Sequence, residues 1–242
     1  MKKIFTLFVV IYLPLLSNEA EEIIKKVDHN MRGKTLYMHL EMQIKTTKHQ
    51  RTMEMEIWAE GKHKSFVKII NPSRNRGITF LSLNTQMWQY IPKIERIIKI
   101  PPSMMLQKWM GSDITNDDMV KQSSIVDDYH ARLLSNKEDI ATIELTPKSD
   151  AAVVWGKIVT EINTTHYTGI KDIYYDESGV EVRAFIYENV KRFGNYYLPT
   201  LWKVTPFDKP DHMTSIMIKN ARYDVPIDPA YFRKSALKRF SQ

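Results

Sequence analysis

The sequence predicts a mainly β protein, an antiparallel sheet that stacks on itself or curls into a barrel. Two observations carry that prediction. Ten or more segments alternate apolar and polar residues with a period of two, and a single segment of any length repeats at helical spacing. An amphipathic strand must hide its apolar face under helices, under a second sheet, or by curling around itself. Helices are too few to do the covering. A large barrel with little to fill it encloses a cavity.

The first residues, MKKIFTLFVVIYLPLLSNEA, carry Lys2 and Lys3, an uncharged apolar run from Ile4 to Leu16, then small and polar residues. This is the layout of a cleaved secretory signal peptide over residues 1–20, and no cysteine follows the run to take an acyl anchor. A single domain is expected over residues 21–242, because the eight glycines and eleven prolines are scattered and mark no linker. A helix follows over residues 20–31, with Ile23, Ile24, Val27 and Met31 on one face, acids in its first turn, and Gly33 just past its end.

From Thr35 the period changes. Leu36, Met38, Leu40, Met42 and Ile44 point one way, and Met53, Met55, Ile57 and Ala59 repeat the pattern in the next strand. Further strands are expected over residues 65–70, 78–83, 86–91, 96–100, 140–145, 153–162, 170–175, 180–190, 198–204 and 213–225. In the 180–190 run Val180, Val182, Ala184, Ile186 and Val190 share a face, after a turn at Asp176 to Gly179. The stretch Asp127-Asp128-Tyr129-His130 is polar enough to read as a solvated loop.

Composition excludes several functions. Without cysteine there are no disulfides, thiolate metal sites or thiol nucleophiles. The formal charge of +7 falls to +6 when residues 1–20 take away Lys2, Lys3 and Glu19, and the basic residues are dispersed, which gives no nucleic-acid footprint. The seven histidines lack paired metal spacing, and no nucleophile elbow, P-loop or dinucleotide fingerprint occurs. The sequence therefore predicts no enzyme and no cofactor.

Pro101 and Pro102 end a strand, and Ser103 is placed to cap a short helix whose apolar residues are Met104, Met105, Leu106, Trp109 and Met110. So short a helix must lie against the sheet. Gly111 ends it, Thr115 or Asn116 can cap the next turn, and Asp117 and Asp118 suit its positive N-terminus. A calcium-type cluster of Asp113, Asn116, Asp117 and Asp118 is the alternative, although it lacks the spacing and the later glutamate of a recognised calcium loop.

These pieces stand in an ordered series: Arg76-Gly77, then Phe80-Leu81; Met87-Trp88 with Tyr90 and Pro92; Arg96; Pro102 to Met105; Gly111-Ser112-Asp113 with Asn116-Asp117-Asp118. In them the chain resembles the outer membrane lipoprotein-sorting protein family, LolA/LolB-like periplasmic lipoprotein carriers. The resemblance implies an unclosed antiparallel β-barrel with an N-terminal helix and short lid helices around an apolar cavity. It implies a periplasmic carrier of lipid or lipoprotein acyl chains for transport to the outer membrane, served by an inner-membrane transporter and an outer-membrane acceptor. The alternative is a periplasmic sensor or adaptor for a membrane partner. On this reading the cavity is lined by Leu40, Met42, Met53, Met55, Phe80, Trp88, Tyr90, Met104, Met105, Trp109 and Met110, methionine suiting a flexible ligand. Arg76 and Arg96 pair with acids of the 113–118 turn, Asp113 among them, and latch the lid, or stand as surface ions.

Overall fold

The computed structural model describes residues 13–121, 125–151 and 153–242. Residues 1–12 of the expected signal peptide lie outside the described residues. Helix α1 runs from Leu13 to Arg32, so the expected helix is its second half. Its apolar stripe buries Ile23 and Ile24. Gly33 ends it at φ +59°, in the left-handed region where glycine is favoured, and its N–H bonds the His29 carbonyl at 2.9 Å.

Among the described residues thirteen strands follow: β1 (Thr35–Lys45), β2 (Gln50–Glu60), β3 (Lys64–Asn71), β4 (Thr79–Leu83), β5 (Gln86–Ile91), β6 (Arg96–Lys99), β7 (Tyr129–Lys137), β8 (Ile140–Pro147), β9 (Lys157–Asn163), β10 (Thr168–Tyr175), β11 (Glu181–Phe193), β12 (Tyr196–Pro206) and β13 (Met213–Tyr223). They form one antiparallel sheet in the order β6-β5-β4-β3-β2-β1-β13-β12-β11-β10-β9-β8-β7. The edges β6 and β7 do not pair with each other, so the sheet is an unclosed barrel. Short helices are α2 (Asn116–Lys121), α3 (Ile125–Asp128) and α4 (Ala236–Arg239).

The two faces of the sheet serve different cores. The inner face holds the larger one, in which Leu40, Met42, Met53, Met55, Phe80 and Trp109 are 1–3% exposed and Ile23 and Ile24 of α1 take part. Strand phases in β1 and β2 are as the alternation predicts. The outer face of β3–β5 carries a second cluster of Phe66, Leu81, Trp88 and Tyr90, covered by Ala236 and Leu237 of α4. Tyr231 stacks there on Trp58 at 4.6 Å and on Phe240 at 4.3 Å. Gly77 makes room for this C-terminal segment, since a Cβ there would come within 2.5 Å of the Ser241 carbonyl oxygen.

Two local expectations need correction. Residues 129–137 form strand β7, where a loop was expected at 127–130; Tyr129 and Ala131 turn inward and are buried. In β11 the inward residues are Arg183 and Phe185, buried, with Tyr187, while Val180, Ile186 and Val190 are exposed. Ala184 of the same run is buried, and a register shift opposite Tyr174 and Tyr175 puts Glu181, in place of Val182, on the face of Ala184 and Ile186.

Candidate functional site

Between α1 and the inner face lies an apolar cavity of about 190 Å³. From the helix, Ile24, Val27 and Met31 project into it. The opposite walls come from Leu36 and Met38 of β1, Ala59 of β2, Leu145 of β8, Ile158 and Ile162 of β9, and Trp202 of β12. Strands far apart in the sheet order meet there because the sheet curls around the helix. Asp28 and Arg32 of the helix also line it, bonded to each other at 2.6 Å. Asn30 pins the helix: its amide donates to the carbonyls of His166 and Tyr167 at 2.9 and 3.1 Å and accepts from the Tyr197 N–H at 2.8 Å.

A polar group interrupts the apolar wall. Asp172 of β10 is 8% exposed, and the Tyr187 hydroxyl donates to it at 2.7 Å. Thr160, its register partner on β9, hydrogen-bonds the same carboxyl. Burial pushes the Asp172 carboxyl above the ordinary carboxylate range, while the two hydroxyls and the charge of Arg183 pull it back. Burial likewise holds the Tyr187 hydroxyl well above its usual value.

The residues chosen from sequence fall elsewhere. Leu40, Met42, Met53, Met55, Phe80 and Trp109 are packed core, with Phe80 and Trp109 rings 5.1 Å apart. Met105 and Met110 pack against that core, half-buried, and Met104 is 38% exposed. Trp88 and Tyr90 belong to the outer-face cluster. None of the eleven is among the residues lining the cavity under α1. The cavity residues Val27, Met31, Leu36, Met38 and Ala59 were legible as apolar faces of the first helix and strands, but Thr160, Asp172 and Tyr187 carried no apolar signal.

The segment between β6 and α2 is two separated 3-10 turns, Pro102–Met104 and Trp109–Gly111, in place of one helix capped by Ser103. Lys108, at ψ 117°, is outside helical geometry and separates the two turns, and Met110 and Gly111 have positive φ within the second. The acids behind it are held by protein donors. Thr115 and Asp118 form a capping box at the start of α2, with bonds of 2.7 and 3.1 Å. Asp113 accepts from Lys108 at 2.7 Å and from the Thr214 hydroxyl at 2.9 Å.

In place of Arg76 and Arg96, Asp113 is paired by Lys108 and Asp118 by Arg183. Its guanidinium bonds Asp118 at 2.6 and 2.5 Å, and it lies over the rings of Trp155, Tyr174 and Phe185. Arg76 instead holds the Ile70 carbonyl and Asn71 at 3.0 and 3.3 Å, and Arg96 is exposed on the edge strand. Arg51 reaches across from β2 to the Met110 carbonyl.

Three solved structures share the fold across nearly the whole chain. A DUF1329 family protein from Desulfovibrio piger is 21% identical with a TM-score of 0.84, covering 92% of this chain and 99% of its own. A putative outer membrane lipoprotein-sorting protein domain from Vibrio parahaemolyticus is 21% identical with a TM-score of 0.81, covering 92% and 100%. A LolA superfamily protein from Nitrosomonas europaea is 20% identical with a TM-score of 0.75, covering 90% and 98%. No curated protein matches the sequence. A family model described as an uncharacterized protein matches residues 61–239, most of the chain, and the chain belongs to that family, built on the fold of the LolA-superfamily lipoprotein-sorting domains.

Proposed function

We propose that this protein is a periplasmic carrier that binds the hydrocarbon of lipids or lipoprotein acyl chains beneath α1 and moves it toward the outer membrane without covalent chemistry. The signal peptide over residues 1–20 belongs to this reading, and so do a transporter that loads the carrier and an acceptor that unloads it. The observation that carries the reading is the apolar cavity of about 190 Å³ between helix and sheet. The fold shared with lipoprotein-sorting domains supports it.

Magnitudes fit the task. Burying hydrocarbon gains about 0.8 kcal/mol per CH₂, so a chain of about sixteen carbons costs on the order of ten kcal/mol to expose to water during transit. An engineered apolar cavity of about 150 Å³ holds benzene. The cavity here, about 190 Å³, therefore takes a comparably short stretch of chain. A longer acyl chain requires α1 to yield, which also gives a route for release.

The test is uptake of a fluorescent fatty-acyl probe by the protein lacking residues 1–20, with mass spectrometry of co-purifying lipids. Ala59→Phe, which places a ring in the cavity, is expected to weaken probe binding at least about tenfold, a loss of about 1.4 kcal/mol. Absence of both uptake and co-purifying lipid would end the carrier reading. Transfer of the probe from donor to acceptor vesicles is expected; binding without transfer favours the sensor.

A further inference from the structure

A wall made for hydrocarbon alone has no use for a carboxyl group. Burying a carboxyl costs free energy unless it is hydrogen-bonded, and here two hydroxyls on neighbouring strands, Thr160 and Tyr187, hold it in place. Asp172, Thr160 and Tyr187 all line the cavity, among residues that are otherwise mostly aliphatic. The nearby cation, Arg183, has both terminal nitrogens bonded to Asp118, and its charge reaches Asp172 through space. Across the cavity, α1 presents Asp28 and Arg32, bonded to each other. A few placed polar groups in an apolar pocket set the orientation and identity of its ligand.

We infer that Asp172, with Tyr187 and Thr160, receives the polar head of an amphiphile that enters head first, and that this head is an uncharged hydroxyl donating a hydrogen bond to the Asp172 carboxyl. The inference rests on the cavity being a hydrocarbon site. A hydroxyl needs no charge to be buried, and its O–H supplies the one element that an acceptor such as a carboxylate lacks. A fatty carboxylate or a phosphate head would set a second acid beside Asp172, and like charges in a site of low dielectric repel strongly. An ether has the same length and shape but no donor. Losing a bond to a buried polar group discriminates better than losing a methylene does.

Calorimetric titration of the wild-type protein with octanol, octyl methyl ether, octylammonium and octanoate tests this. Octanol is expected to bind at least about tenfold tighter than the ether, a difference of about 1.4 kcal/mol, with octanoate weakest. In Asp172→Leu the alcohol and the ether should bind alike. Asp172→Asn, closest in shape, should still bind octanol and should relax the discrimination against octanoate. The inference is overturned by equal binding of alcohol and ether to wild type, by tighter binding of octylammonium than of octanol, or by preferences that survive both substitutions. Binding of all four ligands without preference defeats this inference and leaves the hydrocarbon site standing. Binding of none defeats both.

Discussion

Arg183 joins an ion pair and three aromatic rings on the inner face. It is 3% exposed, its guanidinium grips Asp118 through two nitrogens, and aromatic rings lie 4.4 to 5.0 Å from its centre. Asp118 in turn caps α2 through the Thr115 N–H. Removing one partner of a buried pair leaves the other charge uncompensated, at a cost of about 3–5 kcal/mol. Arg183→Met is therefore expected to lose that much in urea denaturation, and Arg183→Met with Asp118→Asn less than the two single losses added. Strict additivity would show that the pair is not coupled. Asp172 gives a prediction in pH. Its folded pKa lies above the unfolded value near 3.8, so its contribution to stability is complete below the carboxylate range. That contribution is lost as pH rises through the folded value, by at most about 1.4 kcal/mol per unit. Asp172→Asn should accordingly gain on wild type as pH rises above about 4, then level off once the wild-type carboxyl is ionised. Urea midpoints across that range measure it, and a difference independent of pH would contradict the assignment.

At the scale of elements, the strands that the period-two pattern marks best are those with a single covered face. In β1 and β2 the outward residues include charged ones, such as Glu41, Glu54 and Glu56, and the inward ones are apolar, so the phase is written plainly. Strand β11 misleads because both of its faces carry apolar residues. Ile186 and Val190 are exposed and a register shift breaks the alternation near Val182, while the inner face sets a guanidinium and a phenol among aromatic rings. Neither Arg183 nor Tyr187 looks buried until the acid that each one bonds is placed beside it, from residues 118 and 172. Trp88 and Tyr90 mislead in the same way. They are buried as expected, but beneath the C-terminal segment on the outer face, and a strand covered on both sides loses its alternation. Strand β7 went unread because its inward positions are Tyr129, Ala131 and Leu133, of unequal size, while Leu134 is exposed. The turn chemistry at Thr115 to Asp118 was legible because a capping box is local in sequence.

For the molecule as a whole, the open seam between β6 and β7 leaves a barrel whose interior is closed by α1 and by the segment preceding α2. Trp109 sits 1% exposed in the packed core, and Asp113 ties its segment to β13 through Thr214, so that side is fixed. Helix α1 packs on β7, β10, β12 and α3 above the cavity. Asn30 is the main polar tether, joining the helix to the β9–β10 turn and to the start of β12 by three bonds. Asn30→Ala would leave two carbonyls and one N–H without that partner, at about 1–3 kcal/mol for a group that stays buried and unpaired. On the proposed carrier reading, that margin opposes the entry of a chain longer than the cavity. Asn30→Ala is thus expected to speed amide exchange in residues 21–32 while leaving β1 to β5 protected, and to raise the rate of acyl-probe uptake more than its equilibrium affinity. Faster exchange throughout the sheet would mean that Asn30 supports the fold at large, and an unchanged uptake rate would mean that the ligand enters by a path that does not involve α1.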